Sequence, residues 1–478
     1  MSKHLSHKNI YKLKTDFKIT KPRQRISQDG KILVSKKAWI VRLSTIFTIA
    51  IIMGFNIYTS LRVSDPFIAY TTLMPLHAVL VMTAGWIFYR NPASKGKAGN
   101  ELVSVIVPIF NQKDMIETVF DHIYDSTYKN IEVIAINDGS IDGTEQILNK
   151  IKEKYPRLTV IHKKNEGKRR AIAQAFPKTK GKYIVLIDSD SVIDKKAIEE
   201  FMKAFNSDPK IGGVVGFNKA WNAYKKFLTK LQDAWYENAF NIHKACESAF
   251  GNVMCCSGTL AGYRRETISA FIPYWMQAKI HNSEDRDLTT YTIAKKWVKK
   301  DLAPYSKKLM ESMSDYDDSE DRALTAYSLV EWKTVYVASA ITYTDVPETW
   351  NKWLKQQKRW KKGYLRSNFF VSAFFWQKNP LMSIIFYTEF ITTFTTPFII
   401  FLIFIYIPFM THNFVVTLTF LFGALLLGLL QGADNKFRDP VAKYWTYKPL
   451  MNMVVAFVLS WLLFPALWNY KKNEWLTR

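Results

Sequence analysis

Apolar and polar positions are sharply segregated along this chain of 478 residues. Two apolar runs lie near the start, over residues 40–61 and 66–89, and three near the end, over 381–410, 414–430 and 451–468. Most approach the roughly 18–20 residues, nearly free of charge, that a helix needs to cross a bilayer. Between them, from Leu102 onward, the period changes. "VSVIVPIF" is a continuous apolar run of strand length, the pattern of a strand buried on both faces. "MIETVFDHIYDS" has helical spacing, "IEVIAINDGS" is a second strand ending in a turn, and "GTEQILNKIKEKYP" is a second helix. "LTVIHKKN" and "KYIVLIDSDS" add strands, each followed by helical sequence. This rhythm predicts an α/β domain with a mostly parallel sheet and helices on both faces. Downstream, "WNKWLKQQKRWKKGYLR" reads as an amphipathic helix at a membrane interface.

The resulting organisation is a basic flexible tail over 1–37, two transmembrane helices within 38–90, a central α/β domain with interfacial helices over 101–370, two more spans over 381–431, and a last segment over 432–478. The first apolar run begins some 40 residues in and has no cleavage pattern, so it is not a signal peptide. A net charge of +25 suggests nucleic acid, but the distribution argues otherwise. Twelve Lys and Arg precede or open the first span, within the first 42 residues, and another cluster sits in the amphipathic helix. Basic flanks beside spans fit anionic lipid headgroups and a cytoplasmic side, which places the tail and the central domain in the cytoplasm of a multi-pass cell-membrane protein. No nucleic-acid partner is expected. Cys246, Cys255 and Cys256 have no metal-type spacing and are expected to stay reduced.

Acidic residues close the strands. Asp138 ends "IAIND", and Asp188 and Asp190 end "VLIDSD". Ligands of open α/β sheets bind at such strand ends. There is no GxGxxG after the first strand, so a dinucleotide site of the usual kind is unsupported. Paired carboxylates on one turn suit Mg²⁺ or Mn²⁺, whose remaining positions go to phosphate oxygens. A nucleoside diphosphate bridged by a metal is therefore the expected ligand, with the base and ribose near Asp138. A solvated turn or a helix cap is the bland alternative.

"SVIVPIFNQ", "INDGSIDGT", "NEGKRRAIAQA", "VLIDSDS", "SGTLAGYRRE", "EDRALT" and "QQKRW" follow one another in that order. Together they resemble the processive, membrane-embedded family-2 glycosyltransferases: hyaluronan, chitin and cellulose synthases, with hyaluronan and chitin-oligosaccharide synthases the nearest in pattern. The resemblance covers about residues 38–478 and implies a GT-A-type domain. It also implies a UDP-sugar donor, a growing polysaccharide acceptor and surrounding lipid. Asp138 is similar to the acid that contacts uridine, and Lys168 to a basic residue near the nucleotide. Asp188 and Asp190 match the D-x-D pair, Asp190 being the direct metal ligand. Ser257 and Gly258 match the acceptor side at the channel entrance. Gln356, Arg359 and Trp360 fit Q-x-x-R-W. There Arg would neutralise the departing diphosphate and Trp would offer a flat face to a sugar; lipid anchoring is the other reading of Trp360. Trp475 and Arg478, in "WLTR", resemble a gating segment over the nucleotide, although Leu476 stands where the family has Gly and the chain stops there without the further spans of many relatives.

The implied chemistry needs one base, the Asp of an E/D-D-x-x-L-T motif, and two stretches compete for it. "SEDRDLTTYT" at 283–292 and "SEDRALTAYS" at 319–328 are near copies. Upstream spacing from "SGTLAGYRRE" suits the first, whereas the strand "TVYVASA" and the Q-x-x-R-W helix follow the second without a gap. An insertion near 283–318 reconciles the two, with Asp321 as base, flanked by Glu320 and Arg322, and Asp285 as the alternative. The losing copy would be an ordinary helix cap with Ser at the N-cap. Starting inside, a fifth full crossing would put the basic C-terminus outside; a re-entrant or interfacial last run, broken near Pro465, keeps "WLTR" on the nucleotide side. Two rival functions are a non-processive transferase acting on a lipid-linked acceptor and an inactive polysaccharide-channel subunit. The sugar, the linkage, the product length and the oligomeric state are open at this stage.

Overall fold

The computed structural model describes residues 25–63, 68–269, 272, 332–372, 375–412, 414–439 and 442–468. Both "SEDR" copies, including Asp285, Glu320, Asp321 and Arg322, lie outside them, as do Trp475 and Arg478.

In chain order, helices α1 (Lys36–Val63) and α2 (Ile68–Thr83) precede the central domain. That domain runs β1 (Val103–Ile109), α3 (Ile116–Tyr124), β2 (Ile131–Asp138), α4 (Thr144–Lys154), β3 (Leu158–Lys163), α5 (Lys168–Ala175) and β4 (Tyr183–Leu186). It continues with β5 (Ser191–Ile193), α6 (Ala197–Ser207), β6 (Ile211–Ala220), α7 (Phe227–Asn238), β7 (Ala261–Arg264), β8 (Lys333–Thr344) and α8 (Trp350–Ser372). Then come α9 (Pro380–Phe401), α10 (Val415–Arg438) and α11 (Lys448–Val454).

The eight strands form one sheet in the order β3-β2-β1-β4-β7-β6-β8-β5. The β1–β2, β2–β3, β1–β4 and β6–β8 pairs are parallel, as the repeating strand–helix pattern predicts. Two strands break the rule. β7 runs antiparallel to β4 and β6, and β5 runs antiparallel to β8. β5 begins five residues after β4 ends, too short a link for the crossover that would set it parallel beside β4; β7 follows β6 after the long helical connection over residues 221–260, so loop length does not fix its direction. Every residue of β1 is buried, and alternate residues enter different cores. Val103, Val105 and Val107 pack with Phe120, Phe201 and Phe205, whereas Ile106 packs with Ile134, Phe217 and Tyr336 on the other face. A fully buried side chain of this size contributes roughly 1.5–3 kcal/mol, which explains why the strands read as unbroken apolar runs.

Among the described residues, five helical stretches are long and apolar enough to cross a membrane: Lys36–Phe55, Thr72–Lys95, Pro380–Thr411, Val415–Arg438 and Trp445–Trp468. The last is irregular, with a π-turn at Val455–Leu459 and a 3-10 turn at Ser460–Leu462 before helix resumes at Leu463–Trp468. The 3-10 turn lies within one turn upstream of Pro465, where the missing N–H and the ring displace the preceding carbonyls. Two glycines on α10 let this segment approach closely. A Cβ on Gly428 would meet the Pro449 backbone at 2.5 Å, and one on Gly432 would meet the Trp445 carbonyl at 2.4 Å. Gly432→Leu should therefore lower thermal stability in detergent by the ~1–3 kcal/mol typical of overpacking. Gly423→Leu, whose Cβ meets only Ile52 at 3.8 Å, should leave the melt unchanged; equal melts for the two variants would contradict this packing.

Candidate active site

The order of strands reverses between β1 and β4, so the crevice at their carboxyl ends is where a ligand is expected. Asp138 closes β2 on one side of this point, and Asp188 follows β4 on the other. The Asp138 carboxylate is almost wholly enclosed and holds three donors: Lys163 Nζ at 2.7 Å, the Glu166 N–H at 3.0 Å and the Gly167 N–H at 2.7 Å. Lys163 faces Asp138 directly in the β2–β3 register, which sets that contact. Gly167 adopts φ +95°, a conformation open to glycine, so that its N–H can face the carboxylate where α5 begins. The next residue, Lys168, then extends to Asp188 at 2.8 Å. Asp138 thus anchors the loop that delivers Lys168 to the D-x-D turn.

Loops at the ends of β1 and β2 are tied to one another. The Asn111 N–H donates to Ser140 Oγ at 2.9 Å, the Ile141 N–H donates to Asn111 Oδ1 at 2.9 Å, and Ser140 N–H donates to Asn137 Oδ1 at 3.0 Å. Asn137 Nδ2 lies 3.1 Å from His162 Nδ1. These contacts make a braced rim beside Asp138.

On the β4 side, Asp190 is buried and accepts from Ser191 Oγ at 3.3 Å. Tyr236 on α7 is pushed above the ordinary phenol range, first by burial and then by the charge of Asp188. Trp235, its neighbour, stacks on Trp360 with ring centroids 6.0 Å apart and 19° between planes. Trp360 is half-buried and packs against the domain core. One helix turn before it, Gln356 has a buried Oε1 with no hydrogen-bond partner among the described residues, and Arg359 is half-buried. The Trp235–Trp360 stack therefore joins the Q-x-x-R-W helix to α7. Ser257 is half-buried and Gly258 buried; the Ser257 hydroxyl accepts from Asn218 Nδ2 at 3.3 Å, and Thr259 Oγ1 accepts from the same amide.

Among the described residues no cluster of three or more His, Cys, Asp or Glu is arranged as a metal site. Two carboxylates on the D-x-D turn are the donors at hand. That set fits a hard divalent cation that takes its other oxygens from substrate phosphate and water.

Several neighbours had no local signal in the sequence. Lys163, Asn218 and Trp235 acquire their roles from strand register and helix packing. Asp345 is another. Thr344 stands opposite Ser191 in the β8–β5 ladder, so Asp345 and Asp190 leave the ladder at the same end. Burial, with the charge of Glu348 adding and Lys225 opposing, raises the Asp345 pKa to about 6, and its Oδ1 has no hydrogen-bond partner among the described residues.

The chain matches the model of glycosyl transferase family 2 over residues 104–271. It is similar to a hyaluronan synthase from Streptococcus pyogenes, 29% identical over 465 residues that cover 93% of this chain and 98% of that protein. It is also similar to an N-acetylglucosaminyltransferase from Azorhizobium caulinodans, 30% identical over 55% of this chain and 60% of the relative. Among solved structures, a mannosyltransferase from Pyrobaculum calidifontis in complex with GDP-Man and Mn²⁺ aligns over 83% of this chain and 96% of its own, with TM-score 0.47 and 17% identity.

The raised pKa of Asp345 has a definite sign. The folded state holds the proton up to about pH 6, against 3.8 for the free group, so ionisation opposes folding as pH rises between those values and fully above them. Asp345→Asn should be more thermostable than the parent at pH 7.5, by about 2 kcal/mol, with the gap shrinking towards pH 4.5. A gap independent of pH in melts across that range would refute the assignment.

Proposed function

This chain is a family-2 glycosyltransferase, and from that premise we propose that it polymerises sugars from UDP-linked donors by inverting transfer and moves the product across the membrane. The reading rests chiefly on two features taken together: the Lys168–Asp188 pair at the strand ends, and the Trp235–Trp360 stack, whose first ring is the chain neighbour of Tyr236, a side chain that feels the charge of Asp188. A charged diphosphate cradle next to a flat aromatic surface suits a nucleotide sugar and an acceptor sugar side by side. Similarity to a hyaluronan synthase over nearly the whole chain, with five membrane-length helices around the domain, supports a polysaccharide product and a cytoplasmic site.

The uridine would be held at the rim near Asp138, and Lys168 and Arg359 would offset the diphosphate charge, with Gln356 nearby. Asp190, with Asp188, would hold Mg²⁺ or Mn²⁺, which supplies a positive counter-charge for the departing UDP. Ser257, Gly258 and Trp360 would bind the acceptor end. One carboxylate takes the proton of the acceptor hydroxyl; the oxygen bonds to the anomeric carbon as the bond from that carbon to the UDP oxygen breaks. We assign this base to Asp321, with Glu320 and Arg322 beside it, and keep Asp285 as the alternative. Trp475 and Arg478 would close over the nucleotide if the last apolar run returns to the cytoplasmic side.

Asp321→Asn should cut UDP release by at least 100-fold, whereas Asp285→Asn should stay within a few-fold of the parent at matched expression. The reverse result would move the base to the first copy. Purified protein should release UDP and form a long polymer from UDP-GlcNAc, UDP-GlcA or UDP-glucose, given singly and in pairs. UDP release with only single additions to a lipid acceptor would establish the non-processive alternative, and no release from any donor would favour an inactive channel subunit.

A further inference from the structure

Adjacent residues at the end of β6 face opposite ways and join two parts of the molecule. Asn218 is buried, and its amide braces Ser257 and Thr259, the segment assigned above to the acceptor. Lys219 turns to the other side. Its ammonium pairs with Glu237 of α7 at 2.8 Å and with Asp439, at the end of α10, at 3.0 Å. All three side chains are almost fully enclosed, at 4%, 6% and 0% exposure. The network does not stop there. Glu237 accepts from Asn241 Nδ2 at 3.0 Å, and the Asn241 carbonyl accepts from Arg438 at 3.3 Å. Arg438 lies 3.6 Å from Asp434, and Asp434 pairs with Arg42 of α1 at 2.7 Å. Among the described residues, three cations and three anions therefore form a charge-balanced, buried chain from the end of β6 to two membrane-length helices.

Buried ion pairs are weak sources of net stability, because desolvation offsets most of their attraction; where they persist, fixing a single arrangement is their best-attested use. Apolar packing alone would let the domain slide or tilt on the membrane helices, whereas opposite charges in a dry interface tolerate little displacement before desolvation is uncompensated. The end of β6 is where such a displacement would be transmitted to Ser257 and Thr259.

We propose that Lys219 is a positioning residue for polymer extension: gripped by Glu237 and Asp439, it holds the acceptor side of the site in register with the membrane helices. The inference rests on the polymer-synthase reading. Its consequence is selective. Loosening the clamp should let the growing chain dissociate sooner while donor binding, on the Asp138–Lys168 side, is preserved.

Lys219→Met alone would strand two carboxylates, so the informative variant is the charge-balanced pair Lys219→Met with Asp439→Asn. A second balanced pair, Arg42→Gln with Asp434→Asn, loosens the far end of the same chain. Proteins reconstituted in liposomes are supplied with UDP-GlcNAc and UDP-GlcA together, and UDP release, donor KM and product length are measured. Product length belongs to each active molecule, so partial misfolding lowers yield without shortening chains. We expect product at least fivefold shorter in both paired variants, donor KM within twofold of the parent, and long product restored in Lys219→Arg. Parental product length from either paired variant would overturn the proposal, as would a donor KM that rises in step with the shortening. Should one pair release no UDP, the other decides by the same criteria; if neither releases any, the selective role is refuted. Absence of polymer from the unmodified protein with every donor named above, singly and in pairs, would overturn the polymer reading and this inference together.

Discussion

The carboxylate of Asp138 and its three donors constrain the rest of the site. Held by the Lys163 ammonium and by two consecutive backbone N–H groups, it fixes the loop between β3 and α5 against the end of β2. Charge-assisted bonds of this kind are about twice as strong as neutral ones, and an enclosed carboxylate without them would be costly. From that anchor the start of α5 follows, from α5 comes the reach of Lys168, and from Lys168 the contact with Asp188 across the strand reversal. In the proposed reading these donors are the ones that would face a diphosphate, and a frame held this way would need little reorganisation.

The side proposed for the acceptor is organised by different forces. Trp235 and Trp360 come from separate helices and are joined by stacking, while Ser257 and Thr259 are tied to β6 through Asn218. The two halves of the site therefore answer to different supports, one internal to the sheet and one continuous with the membrane helices through Lys219 and Asp439.

Much of this was legible in the sequence, for reasons that can be named. Strands such as "VSVIVPI" read clearly because they are buried on both faces and leave no polar alternation to confuse the period. Asp138, Asp188 and Asp190 could be picked out because they follow such strands immediately. Lys163 could not, since its contact with Asp138 depends on the register of β2 against β3 rather than on spacing along the chain. Trp235 and Asp439 were hidden in the same way, by helix packing and by a partner 220 residues distant. The antiparallel strand β7 was obscured because "AGYR" is too short to declare its direction. The doubled "SEDR" is the reverse case: the sequence states the choice between Asp285 and Asp321 more fully than the described residues do.

The central claim is that a uridine nucleotide binds at the Asp138 end of the sheet. Calorimetric titration of UDP in the presence of Mn²⁺ into the purified protein and into Asp138→Asn tests it directly. An asparagine would turn an amide toward donors that now meet a carboxylate, a mismatch of about 1–3 kcal/mol. UDP should therefore bind the parent and bind the variant roughly 10- to 100-fold more weakly. Equal affinity in the two proteins, or binding of GDP in preference to UDP, would contradict the account.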